Sequence, residues 1–209
     1  IPLRLVGSEM CIRDRNYIAG ARIRCYTASR AFVQFVLCII QSAILTLSYV
    51  GVAIVYGNEL PETGILTNYP MVEFYISIFL LMYAADAMGI MISCLVKKEE
   101  AANVLAPYIL IVQLIFSGIL FAMEGMADYI SYVMISRWGM EALGSIANLN
   151  DLPLKIQMTV PTVPHEFESR FDSTPEHLLT VWAVLFGFIV VFLLVGNILL
   201  HRVSKDTKG

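Results

Sequence analysis

FYISIFLLMYAADAMGIMISCLV, residues 74–96, is followed by KKEEAAN, residues 97–103, and then by VLAPYILIVQLIFSGILFAM, residues 104–123. Each apolar run has about the length that crosses a bilayer core as a helix. So short a charged hinge leaves the two helices as antiparallel neighbours. Its two lysines place that end of the hairpin on the cytoplasmic side, because cytoplasmic loops carry the excess of Lys and Arg. The remainder of the chain is read outward from this hairpin.

The whole chain agrees with a membrane class. Hydrophobic residues make up 58% of it and its mean hydropathy is +0.73. A soluble domain sits nearer half apolar. The charges gather between long apolar runs, so the formal net charge of -3 says less than their distribution. No positively charged n-region, short apolar core and small-residue cleavage site occur in that order, so no cleavable signal is read. The chain does not begin with Met and is expected to be a fragment. Its first residues, 1–15, contain LVGSEMCIRD, which resembles translated sequencing-adapter text and is expected to be non-native.

Upstream of the hairpin, residues 16–30 read NYIAGARIRCYTASR. Arg22, Arg24 and Arg30 put them on the cytoplasmic side, and their apolar positions suit a helix along the membrane surface. Residues 31–56 form the first span and carry no charge. Gln34, Cys38, Gln41 and Ser48 recur on it at helical spacing, and such a stripe avoids lipid. Residues 57–73 hold three glutamates with no Lys or Arg, and read as an outer loop.

In the span 74–96, Ala85, Gly89 and Ser93 stand four apart and suggest a close packing face. Asp86 beside them is the one formally charged residue inside any span. Two roles are open to it, a polar clasp between helices or a site for a cation or proton. Gln41 and Gln113 are the candidate partners.

Downstream, residues 124–177 are too polar to span and too apolar at first for a free loop. A short re-entrant or interfacial helix is expected near residues 126–135, with a turn at Ser136–Arg137. An amphipathic helix is expected from Trp138 to about Ala147, at headgroup level. The proline-rich, acidic remainder reads as exposed loop. Residues 178–200 form the last span, and the basic tail 202–209 is cytoplasmic. The expectation is an all-α, polytopic integral membrane helical bundle. It has four spans, a cytoplasmic interfacial helix and an external re-entrant segment. Both chain ends are cytoplasmic, in a plasma membrane such as a bacterial inner membrane.

The chemical inventory excludes several classes. No G-x-x-x-x-G-K-[ST] run is present to cradle nucleotide phosphates, and no Gly-x-Ser-x-Gly elbow. His165, His177 and His201 are scattered, without metal spacing. An intramembrane aspartyl hydrolase needs two carboxylates, and Asp86 is alone in the spans. Nothing points to nucleic acid. No enzyme chemistry and no cofactor are therefore expected in this chain.

Three stretches carry a family resemblance. NYIAGARIRCYTASR ends in Tyr26, Ser29 and Arg30, a Tyr-x-x-Ser-basic pattern. MGIMISCLVKKEEAANVLAPYILIVQLIFSGILF and FSGILFAMEGMADYISYVMISRWGMEAL follow in order. Together they resemble the transmembrane domain of a type-2 ATP-binding-cassette exporter, close to the G subfamily. The resemblance implies that residues 16–30 are a coupling helix, with Tyr17, Gly20, Arg22, Tyr26, Ser29 and Arg30 on it. It implies that this chain holds the last four of six spans and forms a homodimer. Gln113, Phe116 and Ser117 would line the substrate path. The implied partners are an ATP-binding cassette carrying ATP and Mg, a second copy of the domain, and the lipid bilayer. The competing reading is a non-transporting membrane anchor or assembly subunit.

Overall fold

The computed structural model describes residues 23–57, 63–96, 99–118, 125–150 and 168–206. The suspected adapter text, the residues Tyr17, Gly20 and Arg22, the hinge lysines and most of the proline-rich loop lie outside them. All regular structure among the described residues is helical. Helix α1 runs Ile23–Tyr56, α2 Pro70–Leu95, α3 Glu99–Ile115, α4 Met126–Ser131, α5 Ile135–Ile146 and α6 Pro175–Asp206. A 3-10 turn at Ser169–Phe171 precedes α6.

Among the described residues, three helices are long and apolar enough to cross a membrane, over Thr27–Tyr56, Pro70–Leu95 and Pro175–Leu199. Helix α1 has 34 residues, about 50 Å at the α-helical rise. That exceeds a hydrocarbon core of about 30 Å. Tyr26, Ser29 and Arg30, expected on a separate coupling helix, are thus in the same continuous helix as the first span. Helix α3 contributes a shorter apolar run, Asn103–Ile115. It turns after Ile115, where the Ser117 hydroxyl donates to the Leu114 carbonyl at 2.7 Å and Gly118 takes a φ of +83°. Only a glycine enters that region without strain. The described part of the expected span 104–123 therefore ends in a turn.

Helix α2 sits at the centre, in contact with α1, α3, α5 and α6. The core is built from Ala84 and Ala87 of α2, Ile135, Ala142 and Ile146 of α5, and Leu178, Val181, Leu185 and Ile189 of α6. A glycine on α5, Gly139, lets α5 come close to Leu81 of α2. A Cβ at Gly139 would lie 2.5 Å from a methyl carbon of Leu81, so a larger residue at this crossing requires the Leu81 side chain to move. The Trp182 indole of α6 donates to the Ser77 hydroxyl of α2 at 2.8 Å. Helix α1 lies antiparallel to α2 through ring contacts of Phe35 with Phe79 and Tyr83, and of Tyr49 with Phe74.

Three expectations about faces change. Ala85, Gly89 and Ser93 are exposed, and Ser77, Ala84 and Ala87 face the core instead. A neighbouring position on a helix is rotated by about 100°, enough to exchange faces. The expected turn at Ser136–Arg137 lies earlier, at residues 132–134, and both residues belong to the first turns of α5. Helix α5 is also no surface helix: Ile135, Arg137, Gly139, Glu141, Ala142, Gly144, Ser145 and Ile146 are all buried.

Glu73 shows how the outer loop is held. It is fully buried in the first turn of α2. Its carboxylate accepts the N–H groups of Ile65, Leu66 and Thr67 at 2.8, 2.7 and 2.5 Å, and the Thr67 hydroxyl at 3.1 Å. A buried carboxylate is tolerated when its lone pairs are filled in this way.

Candidate functional site

A groove of about 830 Å³ opens between α2, α3, α6 and the turn before α5. Leu105, Ile109 and Val112 line it from α3, spaced four and three apart so that they share a face. Helix α6 supplies Val184, Gly187, Phe188, Val191 and Phe192 by the same periodicity. Gln113 brings the one side-chain amide. Its Oε1 accepts the Ser136 backbone N–H and hydroxyl, each at 3.0 Å, and its Nε2 faces Met88 Sδ at 3.7 Å. The Ser136 hydroxyl also lies against the Gln113 main-chain carbonyl. Gln113 therefore ties α3 to the start of α5 while standing at the edge of the groove.

The other two expected pathway residues do not line this groove. Phe116 is half-buried in the turn after α3, and the buried Ser117 hydroxyl bonds back into the helix end. The chemistry the groove offers is apolar contact, with the rings of Phe188 and Phe192 on α6 and of Tyr108 on α3, and a single amide already engaged.

Asp86 is the second feature. Its Oδ2 accepts the Gln34 amide at 2.6 Å and the Cys38 thiol at 2.9 Å. Neither expected partner reaches it. Gln113 is engaged with Ser136 and Met88, and Gln41 stands exposed on another face of α1. The buried seam of α1 runs Cys38, Ser42, Thr46 and Ala53. From Cys38 it steps by four residues to Ser42, whereas Gln41 lies one position away. Beside the clasp, the Tyr83 hydroxyl donates to the Ala31 carbonyl at 3.3 Å. Gln34 and Cys38 lie in the first turns of the expected span 31–56. The clasp is thus nearer the end where α1 enters the bundle than the bundle's middle.

A third cluster, at the other end of the bundle, was not legible as a site. Arg137 is 4% exposed. Its Nη1 donates to the Asp128 carboxylate at 2.7 Å, to the Asp128 carbonyl at 3.0 Å and to the Ser131 hydroxyl. Its guanidinium covers the Tyr132 ring at 3.6 Å, a cation–π contact. Arg170 Nη2 reaches the same Asp128 oxygen at 3.1 Å. Glu141, one turn beyond Arg137, meets His177 Nε2 at 3.2 Å. Burial pushes the Glu141 carboxyl above its ordinary range, and His177, Arg137 and Arg170 pull it part of the way back. The i, i+4 spacing of Arg137 and Glu141 was the available signal; their burial was not.

Of the residues expected on a coupling helix, Ser29 and Arg30 are exposed on α1, and Thr27 beside them is buried. Among the described residues no group of three His, Cys, Asp or Glu side chains is placed to hold a metal ion.

Comparison with known proteins gives two findings. The profile of the ABC-2 type transporter family matches residues 8–147, more than half of the chain. The chain is also 27% identical, over 195 residues, to the ABC transporter ATP-binding/permease protein Rv1747 of Mycobacterium tuberculosis. That alignment covers 90% of this chain and 21% of the relative, so the chain spans about a fifth of the relative's length. No solved structure matches the chain.

Proposed function

Because this chain belongs to the ABC-2 type transporter family, we propose that it is the membrane part of an ATP-driven exporter and relays ATPase motion to a substrate path. Its place in the family and its long apolar helices make it part of an integral membrane permease. The observation that carries the mechanism is the continuity of α1. One helix runs from the coupling residues Tyr26, Ser29 and Arg30 into the bundle and is clasped to central α2 through Gln34, Cys38 and Asp86. A push on the start of α1 moves a packed element, and packed elements respond by rocking between discrete arrangements. The motion passes to α5 and α6, both packed on α2, and so to the groove edged by Gln113.

The motor is an ATP-binding cassette with ATP and Mg, fused upstream or carried on a separate subunit. The relative's description as an ATP-binding/permease protein supports fusion. On this reading the domain has six spans, of which this chain holds the last four, and its nearest kin are in the G subfamily. Two copies pair, since cassette sites form between two cassettes. The Lys/Arg distribution puts the start of α1 and the end of α6 in the cytoplasm and the Arg137 cluster outside.

The full gene is the test. A Walker-type ATPase is expected in the same reading frame or an adjacent one. Purified together in vesicles, the two parts should show ATP hydrolysis that depends on the membrane domain. A gene and its neighbours without any such ATPase would leave the anchor or assembly-subunit reading in its place.

A further inference from the structure

The groove between α2, α3 and α6 has a shape and a polarity that helix packing alone does not require. Its walls run from Leu105 to Val112 on α3 and from Val184 to Phe192 on α6, about 10–12 Å at the α-helical rise. Gly187 stands in the α6 wall, and a Cβ there would meet nothing within 4 Å. Gly139 differs, since its Cβ would press on Leu81 of α2. Glycine weakens a helix interior relative to alanine. At Gly187 no neighbouring helix comes closer in return; what it leaves is the width of the groove.

Apart from the thioethers of Met88 and Met134, side-chain polarity in the lining is confined to Gln113 and the Tyr108 hydroxyl, and no lining residue is charged. The two sides of the Gln113 amide differ. Its Oε1 is filled by the Ser136 N–H and hydroxyl. Among the described residues its Nε2 donors meet the Met88 thioether alone, at 3.7 Å. A thioether sulfur is a weak acceptor. An amide donor within the hydrocarbon region is costly until it meets an oxygen.

We infer that the groove binds an uncharged lipid. Its hydrocarbon chain lies along α6, and a neutral hydroxyl or ester oxygen at the Gln113 end accepts from Nε2. The chain gains no hydrophobic free energy over the surrounding acyl chains, which are as apolar as the groove. Selection therefore comes from the fit against the Gly187 wall and from the one hydrogen bond. A phosphate or carboxylate would enter apolar surroundings with no cation in the lining to meet it. Arg137, next to Ser136, is buried and bonded to Asp128. An uncharged head meets no such cost. That the groove belongs to an export path rests on the reading above; the binding itself does not.

Photolabelling of the full-length protein in phosphatidylcholine vesicles tests it, without ATP. The probe is a monoacylglycerol carrying a diazirine on its chain. Labels should concentrate on residues 105–112 and 184–192 rather than on the exposed face of α1. Unlabelled monoacylglycerol should compete. An alkane of the same length should compete about three- to tenfold less well, the worth of one hydrogen bond. A lysophosphatidylcholine of the same chain should also compete less well. In Gly187→Phe the added ring enters the groove, so labelling of both stretches should be lost while that of α1 holds. Labels spread evenly over α1 and the groove, or unchanged in Gly187→Phe, would overturn the site. Equal competition by the alkane would overturn the Gln113 contact, and equal competition by the lysolipid would overturn the uncharged head. The wild-type label distribution decides even where Gly187→Phe does not fold. Because no ATP is used, a negative result leaves the transport reading standing, and a missing ATPase leaves the binding result standing.

Discussion

Replacing Asp86 separates a structural clasp from a transport site. Asp86 accepts two hydrogen bonds from α1, one from an amide at 2.6 Å and one from a thiol at 2.9 Å. Side-chain hydrogen bonds between helices in membranes average about 0.6 kcal/mol and reach about 1.7. Asp86→Leu removes both and leaves the Gln34 amide facing a methyl group, so the loss should be about 2 kcal/mol. For a protein of 150–250 residues that corresponds to roughly 4–8 °C in melting temperature. Asp86→Asn keeps one carbonyl oxygen as acceptor for Gln34, so its loss should stay under about 1 kcal/mol. The assays are thermal unfolding in detergent and ATP-driven flux in vesicles, on the same preparations. The clasp predicts a graded loss, with Leu worse than Asn, and near-normal flux in Asp86→Asn. Abolished flux in Asp86→Asn at an unchanged melting temperature would refute this reasoning and make the carboxylate a cation or proton site. No change of either kind in both variants would remove Asp86 from both roles.

Two other expectations concern topology and packing. Single cysteines at Thr63 and Ser169, in a background without other cysteines, should react with an impermeant maleimide on intact cells, and one at Ser204 should not; the opposite pattern would reverse the topology. Gly139→Ala places a methyl 2.5 Å from Leu81 and should cost about 1–3 kcal/mol by overpacking, seen as a lowered melting temperature; an unchanged one would mean that the Leu81 side chain swings aside at no cost.

The amino-acid sequence alone determined the class of this protein and the order of its parts. Long uncharged runs can satisfy their backbone only as helices in a bilayer. A charged interruption at Lys97–Lys98 can only be a hinge. The stretches around Tyr26, Ser29 and Arg30 and from Met88 to Leu143 carry the family resemblance without any coordinates. What the sequence left open was which side of each helix meets which neighbour. The polar stripe Gln34, Cys38, Gln41 and Ser48 fits two seams one position apart, about 100° in rotation. Asp86, 52 residues away, selects the seam with Gln34 and leaves Gln41 exposed. The amphipathic pattern of α5 is equally ambiguous. A polar face can meet water or buried charge, and here Arg137 and Glu141 turn inward because Asp128, Arg170 and His177 meet them there. Helical periodicity is a property of one segment and can be read from it. The partner that fills a polar face comes from another segment, so only the tertiary structure decides it.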